Sequence, residues 1–276
     1  MCIRDRNFVN SWLAEPWEDT KLKTSADMVM ERQTDLKELI VPSWASFITG
    51  GVDVQQNCLY WSIRAWGSYI TSQNIAHGQA LSFQEVENIM NLAYRTEDGE
   101  AIVVSLCLVD SGYDTDSAYD FCASNSDWAM PVKGSSNPMM SHFKLSTINR
   151  ATSKAHGMNL VIVDTDKYKD MIASRMKKEN GKGAWMVYQG CDREYAEQVT
   201  AEHKVNIKSG SRIIQRWVQK HSHGDNHYLD CSVYEMAAAD ILGVRTLHLQ
   251  EEEPAPVEEV RETPEENWIG ANENWL

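Results

Sequence analysis

The chain has 276 residues, 42% hydrophobic and 24% charged, which is the composition of one large folded domain with appendages. No apolar run approaches the ~20 residues that span a membrane. The N-terminus lacks the apolar segment of a secretory signal. The opening hexapeptide, MCIRDR, looks unlike the sequence that follows it, and we predict no structural element from it.

The net charge of −14 disfavours binding to a polyanion, but the charge is unevenly distributed. Residues 250–276 contain nine Glu and one Arg, whereas residues 131–220 contain 16 Lys and Arg against eight Asp and Glu. An acidic tail therefore masks a basic central segment, and basic segments attract phosphate backbones. A solvated basic face would show the same composition.

The six cysteines form no CxxC pair, and most have apolar neighbours in sequence. We therefore expect free, buried thiols in a reducing compartment. The densest set of metal-ligand types is His221, His223, Asp225 and His227, for which a solvated loop before a helix is favoured over a zinc site.

The elements in chain order predict an α/β fold. Residues 7–46 predict an irregular lead-in with a short helix at 24–33, and the polar stretch 135–158 predicts a loop. The unbroken apolar run 101–110 is typical of a strand covered on both faces. The predicted strands are 47–55, 58–67, the stretch after Ser68, 101–110, 128–134, 159–164, 184–188 and 211–219; the predicted helices are 82–95, 114–125, 166–179, 192–203 and 225–243.

This order indicates a mixed sheet, in which an antiparallel meander joins parallel strands and helices flank the sheet. Gly243 is the expected C-cap of the last helix. The Pro- and Glu-rich residues beyond it predict a disordered tail.

Three acids lie at informative places in these elements. Asp53 lies within the first strand, Asp110 ends the 101–110 strand, and Asp230 lies in the first turns of the last helix. Neighbouring parallel strands would bring the first two acids to one edge of the sheet, where a helix could add the third. Such oxygen ligands suit Mg²⁺ or Mn²⁺, and two ions about 4 Å apart can activate water against a phosphodiester. The spacing alone leaves this interpretation open against a turn, a helix cap and an ordinary helix-face acid.

Five motifs occur in order: GGVDVQ, VDSG with Thr115 and Tyr119 after it, PVKG, VDTDK and NHYLDC-x-VY-x-x-AAA. Over residues 7–243 this series resembles the nuclease domain of the lambda-like phage terminase large subunit family, and NFVNSWLAEPWED resembles the stretch joining that family's ATPase to its nuclease. The resemblance implies an RNase H-like fold and a metal-dependent DNA endonuclease with two Mg²⁺ or Mn²⁺ ions.

By the same resemblance, Asp53, Asp110 and Asp230 match the metal-binding, catalytic acids, and Asp164 is a candidate fourth ligand. Lys133 and Lys167 match basic positions of the family. The family often has Asn-Glu where this chain has Asn-His, so His227 is assigned no catalytic role. We expect the DNA-binding residues to be Lys133, Lys144, Arg150, Lys154 and Lys167.

No GxxxxGK[ST] motif occurs, so the chain is expected to cut DNA but not to translocate it. We expect residues 1–46 to be a connector from a missing ATPase domain, 47–246 the nuclease domain and 247–276 the acidic tail. A fragment of a longer protein is favoured over a separately encoded nuclease.

The implied partners are double-stranded DNA, the portal protein and the small terminase subunit, in the host-cell cytoplasm and transiently on the procapsid. Trp268, Ile269, Trp275 and Leu276 at the tail's end predict a docking motif for the portal, with folding back onto the domain as the alternative. A junction-resolving nuclease and a non-catalytic portal-docking module remain the competing functions.

Overall fold

A computed structural model describes residues 17–18, 24–209, 212–221 and 224–247. The predictions for MCIRDR, His223 and the acidic tail with its terminal motif lie outside these residues. The strands are β1 Trp17–Glu18, β2 Ile40–Val41, β3 Phe47–Val54, β4 Leu59–Gly67, β5 Thr71–Ala80, β6 Tyr94–Thr96, β7 Ala101–Ile102, β8 Val104–Asp110, β9 Ala129–Gly134, β10 Phe143–Thr147, β11 Asn159–Val163, β12 Trp185–Val187, β13 Glu202–Ser209 and β14 Arg212–Gln219. The α-helices are α1 Ala26–Met30, α2 Phe83–Met90, α3 Thr115–Ser124, α4 Thr165–Met176, α5 Arg193–Val199 and α6 His227–Ile241.

The main sheet has eight strands in the order β10-β11-β9-β8-β3-β4-β5-β12. Strands β3, β4 and β5 form the predicted antiparallel meander, while β3, β8, β9 and β11 run parallel. Two three-stranded sheets, β1-β13-β14 and β2-β6-β7, complete the described part. The predicted fold class is confirmed as an α/β fold, in which an antiparallel meander joins parallel strands in one mixed sheet flanked by helices.

Three local predictions were wrong in extent. The predicted loop 135–158 contains strand β10, whose residues are mostly exposed because it is the edge of the sheet. The predicted helix 192–203 ends at Val199, and β13 begins at Glu202. The predicted helix 82–95 ends at Met90, because the residues from Tyr94 pair with β2 and β7 instead.

Helix α6 packs directly against the central strand β3, and a glycine makes this approach feasible. A Cβ built on Gly51 would lie 2.2 Å from the carbonyl oxygen of Cys231 in α6. The hydroxyl of Thr49 also donates a hydrogen bond of 3.0 Å to the carbonyl of Glu235. The C-cap of α6 is Leu242, one residue before the predicted Gly243, and Gly243 follows it with φ 83°, the left-handed conformation that commonly ends a helix. The register between α6 and β3 is therefore fixed by backbone contact.

The core extends to both faces of the sheet and includes part of the predicted lead-in. Val29 of α1, whose N-cap is Ser25, is fully buried in the core cluster that contains α6. The described cysteines are free thiols, as predicted; Cys58 is half-buried and the other four are buried. Within the described residues, no helix has the length and apolarity to cross a membrane.

Candidate metal centre

Two of the predicted acids are neighbours across parallel strands. The β3–β8 register pairs Val52 with Val109, so the next residues, Asp53 and Asp110, lie side by side at the carboxyl ends of these strands. This is the edge where open α/β sheets bind ligands. The expectation that Asp53 and Asp110 share one edge of the sheet is met in the described fold.

The carboxylate of Asp53 is buried and already hydrogen-bonded. Its side chain accepts from Gln55 Nε2 at 2.8 Å, and its Oδ2 lies 2.7 Å from His227 Nδ1. The imidazole of His227 is held by stacking on Tyr60, with 4.2 Å between ring centroids. Burial lowers the pKa of His227, but the hydrogen bond to Asp53 and its charge outweigh burial and raise it. His227 therefore belongs to the site, although the sequence predicted no role for it.

Asp110 has an environment that disfavours its charge. Burial and the nearby charge of Asp53 raise the pKa of Asp110 to about 6. The backbone N–H of Gly112 and the hydroxyl of Tyr234 donate to its Oδ1, at 3.2 and 3.3 Å, and oppose that rise. Two crowded carboxylates of this kind are relieved by a cation placed between them.

Asp230 lies in the first turn of α6, and its neighbours come from other elements. Lys169 Nζ of α4 lies 3.5 Å from its Oδ1, and Asn226 Nδ2 donates to its Oδ2 at 3.2 Å. Burial raises the pKa of Asp230 to about 6, against the lowering effect of Lys169 and with the charges of Asp53 and Glu202 adding to the rise. The effect of Asp53 on this pKa links all three acids electrostatically.

The chemistry of the donor set fits a divalent cation, because carboxylate oxygens are the ligands that Mg²⁺ and Mn²⁺ prefer. As the side chains stand, however, no group of three or more His, Cys, Asp or Glu among the described residues could hold a metal ion. Asp53 is engaged by His227 and Asp230 by Lys169. The fold therefore brings the three acids to one region without closing them into a cation site as they stand.

Asp164, the candidate fourth ligand, has a structural task. It is the N-cap of α4: its Oδ1 accepts from the backbone N–H of Lys167 at 3.3 Å. Its Oδ2 accepts from the N–H of Met139 at 2.8 Å, which fixes the preceding loop. Both oxygens are thus used by the backbone.

The five predicted DNA-binding residues fall into two groups. Arg150 and Lys154 form ion pairs with Asp116 and Asp120 of α3, and Lys167 Nζ donates to backbone carbonyls of the 139–141 loop. In contrast, Lys133 and Lys144 are exposed and form no ion pair within the described residues.

The second group does not face the acids. Val132 of β9 pairs with Asp110 and shares its face of the sheet, so Lys133, the next residue, points to the opposite face. Lys144 of the edge strand β10 pairs with Ile162, which pairs with Lys133, so the two lysines share that opposite face. Lys133 and Lys144 are therefore exposed cations on the face of the sheet away from Asp53 and Asp110.

The sequence is similar to large subunits of phage terminases. The family described as terminase large subunit gpA, endonuclease domain, matches residues 5–251. The large terminase subunit of Enterobacteria phage P21 is 25% identical over 84% of this chain, and that of Escherichia phage lambda is 26% identical over 86%. The chain spans 38% of the length of each of these relatives. A crystal structure of the large terminase nuclease from thermophilic phage G20c with bound cobalt covers 77% of this chain and 96% of its own, at 11% identity and a TM-score of 0.43.

Proposed function

Because the chain belongs to the family of terminase large subunit gpA endonuclease domains, we propose that it is a metal-dependent endonuclease that cuts concatemeric phage DNA during packaging. The observation that carries this proposal is the placement of Asp53 and Asp110 on adjacent parallel strands, with Asp230 entering from α6. Carboxylates at one sheet edge can hold the divalent cations that assist phosphodiester hydrolysis.

In this proposal Asp53, Asp110 and Asp230 hold two Mg²⁺ or Mn²⁺ ions. The ions would supply Lewis-acid activation of water and neutralise charge on the leaving 3′-oxygen. The protein's own groups orient the acids: Gly112 N–H and the Tyr234 hydroxyl hold Asp110. Asp53 is only 4% exposed, and Gln55 and His227 fix the position of its carboxylate.

The proposed substrate is double-stranded DNA, with the exposed Lys133 and Lys144 contacting its phosphates away from the scissile position. The exposure of these lysines supports that role, since phosphate contacts position DNA without reading its sequence. Family membership supports the portal protein and the small terminase subunit as partners, and the host-cell cytoplasm as the place of action.

The proposal is tested with supercoiled plasmid and Mn²⁺, comparing wild type with Asp53→Asn and Asp230→Asn. We expect both variants to lose nicking while their apo melting temperatures hold or rise, because removing one carboxylate relieves repulsion among the acids. Asp98→Asn, at an exposed position in the β6–β7 turn, is the matched control and should nick like wild type.

Wild-type-like nicking by Asp53→Asn or Asp230→Asn would exclude this site as the catalytic centre. A four-way junction cut much faster than linear DNA would instead identify a junction-resolving nuclease. Absence of nicking in the wild-type chain on every substrate would favour a docking module.

A further inference from the structure

The ammonium of Lys169 lies between two carboxylates at the third acid of the site. Its Nζ is 2.7 Å from Glu202 Oε1 and 3.5 Å from Asp230 Oδ1, and its side chain is only 9% exposed. A buried lysine placed this way is a permanent positive charge within the cluster of acids. It comes from α4, so its position is set by a different element from those that carry the three acids.

Asn226 completes the arrangement around Asp230. Its Nδ2 donates to Glu202 Oε1 at 2.8 Å and to Asp230 Oδ2 at 3.2 Å. One oxygen of Asp230 thus faces Lys169 and the other faces Asn226. Asp230 is therefore held in orientation by protein donors before any cation arrives.

The simplest structural role for Lys169 would be to fasten α4 to the β13–β14 hairpin. That interface already has its own contacts: Lys204 Nζ lies 2.7 Å from Asp170 Oδ1, and Trp217 Nε1 donates to the same oxygen at 2.9 Å. Arg216 Nη1 also lies 3.6 Å from Asp166 Oδ2. Lys169 differs from these groups because it reaches one of the three acids.

We propose that Lys169 is a positioning residue that orients Asp230 and weakens the metal position using that carboxylate. This inference rests on the proposed metal centre. A fixed positive charge beside Asp230 neutralises part of the carboxylate's negative charge and repels a metal cation that approaches it. Among the described residues, the hydrogen-bond and ion-pair partners of Asp53 and Asp110 include no lysine, and Asp53 pairs with His227 instead, so we expect a cation held by Asp53 and Asp110 to bind more tightly than one that uses Asp230.

The test is calorimetric titration of the full chain with Mn²⁺ alone, without DNA. Wild type should show a tighter and a weaker event, and Lys169→Met should tighten the weaker one about tenfold, equivalent to about 1.4 kcal/mol. Lys169→Arg, which retains the charge, should bind Mn²⁺ like wild type. Lys204→Met is the matched control, since it removes a comparably buried ion pair from the same α4–β13 interface and should leave both affinities unchanged.

A merely structural role predicts the opposite sign, because a loosened site binds metal more weakly. If Lys169→Met does not fold, Lys169→Gln keeps a hydrogen-bond donor without the charge and should give the same tightening. Unchanged or weaker Mn²⁺ binding in these variants overturns the inference, as does failure of both to fold while Lys204→Met folds. Failure of the proposed metal centre would give a different result. Wild type would then show either no Mn²⁺ binding or binding that Asp53→Asn leaves unchanged.

Discussion

Helix α6 carries two carboxylates, Asp230 and Glu235, whose surroundings differ sharply. Burial is the largest cause of a raised pKa in both, to about 6 for Asp230 and about 7 for Glu235. Glu235 is fully buried and lies 3.2 Å from the Nε of Arg64 on β4. Asp230 has a side chain that is 26% exposed and lies at the open edge of the sheet.

The difference lies in the cation beside each acid. Arg64 is itself fixed by Met186, whose carbonyl accepts at 3.1 Å, by the hydroxyl of Tyr195 at 3.2 Å, and by stacking 4.0 Å from the centroid of Trp185. Such a group serves packing, because no room remains for a ligand. The comparison teaches that a raised carboxyl pKa on its own does not identify a functional acid, and that access to solvent separates the two cases.

The largest expected effect is on the buried pair. Arg64→Met should lower the free energy of unfolding by about 3–5 kcal/mol, since it leaves Glu235 buried without its cation. Urea unfolding monitored by circular dichroism measures this loss. Asp230→Asn is the comparison and should change the free energy of unfolding little or not at all. The double variant with Glu235→Met should recover part of the loss, and a small effect of Arg64→Met would show that Glu235 is solvated in solution.

A smaller effect is expected from Gly50 and Gly51, adjacent glycines of β3 that lie on opposite faces of the sheet and can be compared directly. Gly51→Ala places a Cβ against the α6 backbone, so it should lower the free energy of unfolding by at least about 1–3 kcal/mol. The same substitution should lower nicking by displacing Asp230. Gly50→Ala is the matched control, because its Cβ would meet the flexible end of Met90, at 2.7 Å from the sulfur. Equal losses of activity in the two variants would contradict a special role for the α6–β3 register.

The smallest effect is a pH dependence of the apo protein. Asp110 and Asp230 have folded pKa values of about 6, above their ordinary value of 3.8. The folded state therefore binds more protons than the unfolded state between about pH 4 and 6, and stability falls as pH rises through that window. The melting temperature should drop by about 2–4 °C per kcal/mol lost.

Saturating Mn²⁺ should remove most of this fall, because a bound cation favours the ionised acids. Differential scanning calorimetry at pH 5 and pH 7.5, with and without Mn²⁺, checks both statements. A melting temperature that rises with pH in the apo protein would show that these carboxyl groups ionise freely in the fold.

The meeting of Asp53 and Asp110 at one edge of the sheet could be predicted from the sequence because strand patterns carry that information. An apolar run around Asp53 and another ending at Asp110 indicate parallel, doubly covered strands, and these strands share one edge by geometry. The pairing of Lys169 with Asp230 could not be predicted in the same way. It depends on how α4 approaches α6, for which a single sequence provides no periodic signal.

The basic segment, residues 131–220, shows a related limit of prediction from sequence. Arg150 and Lys154 suggested a DNA-binding face, yet each finds an acid 34 residues earlier in the chain, on α3. Charge counts along a sequence do not reveal partners that tertiary structure brings close. Strands β10 and β13 were missed for a related reason, since an exposed edge strand and a polar hairpin strand lack the apolar runs by which strands are recognised.

The close packing of α6 on β3 at Gly51 also has a consequence for the order of assembly. Asp53 and Asp110 meet through pairing of strands far apart in sequence, and Asp230 arrives on the last α-helix of the described chain. Contacts of such long sequence separation slow folding. A chain still emerging from the ribosome lacks the third acid until α6 has been synthesised. We therefore expect the proposed cutting to begin only after α6 has been synthesised and has docked on β3.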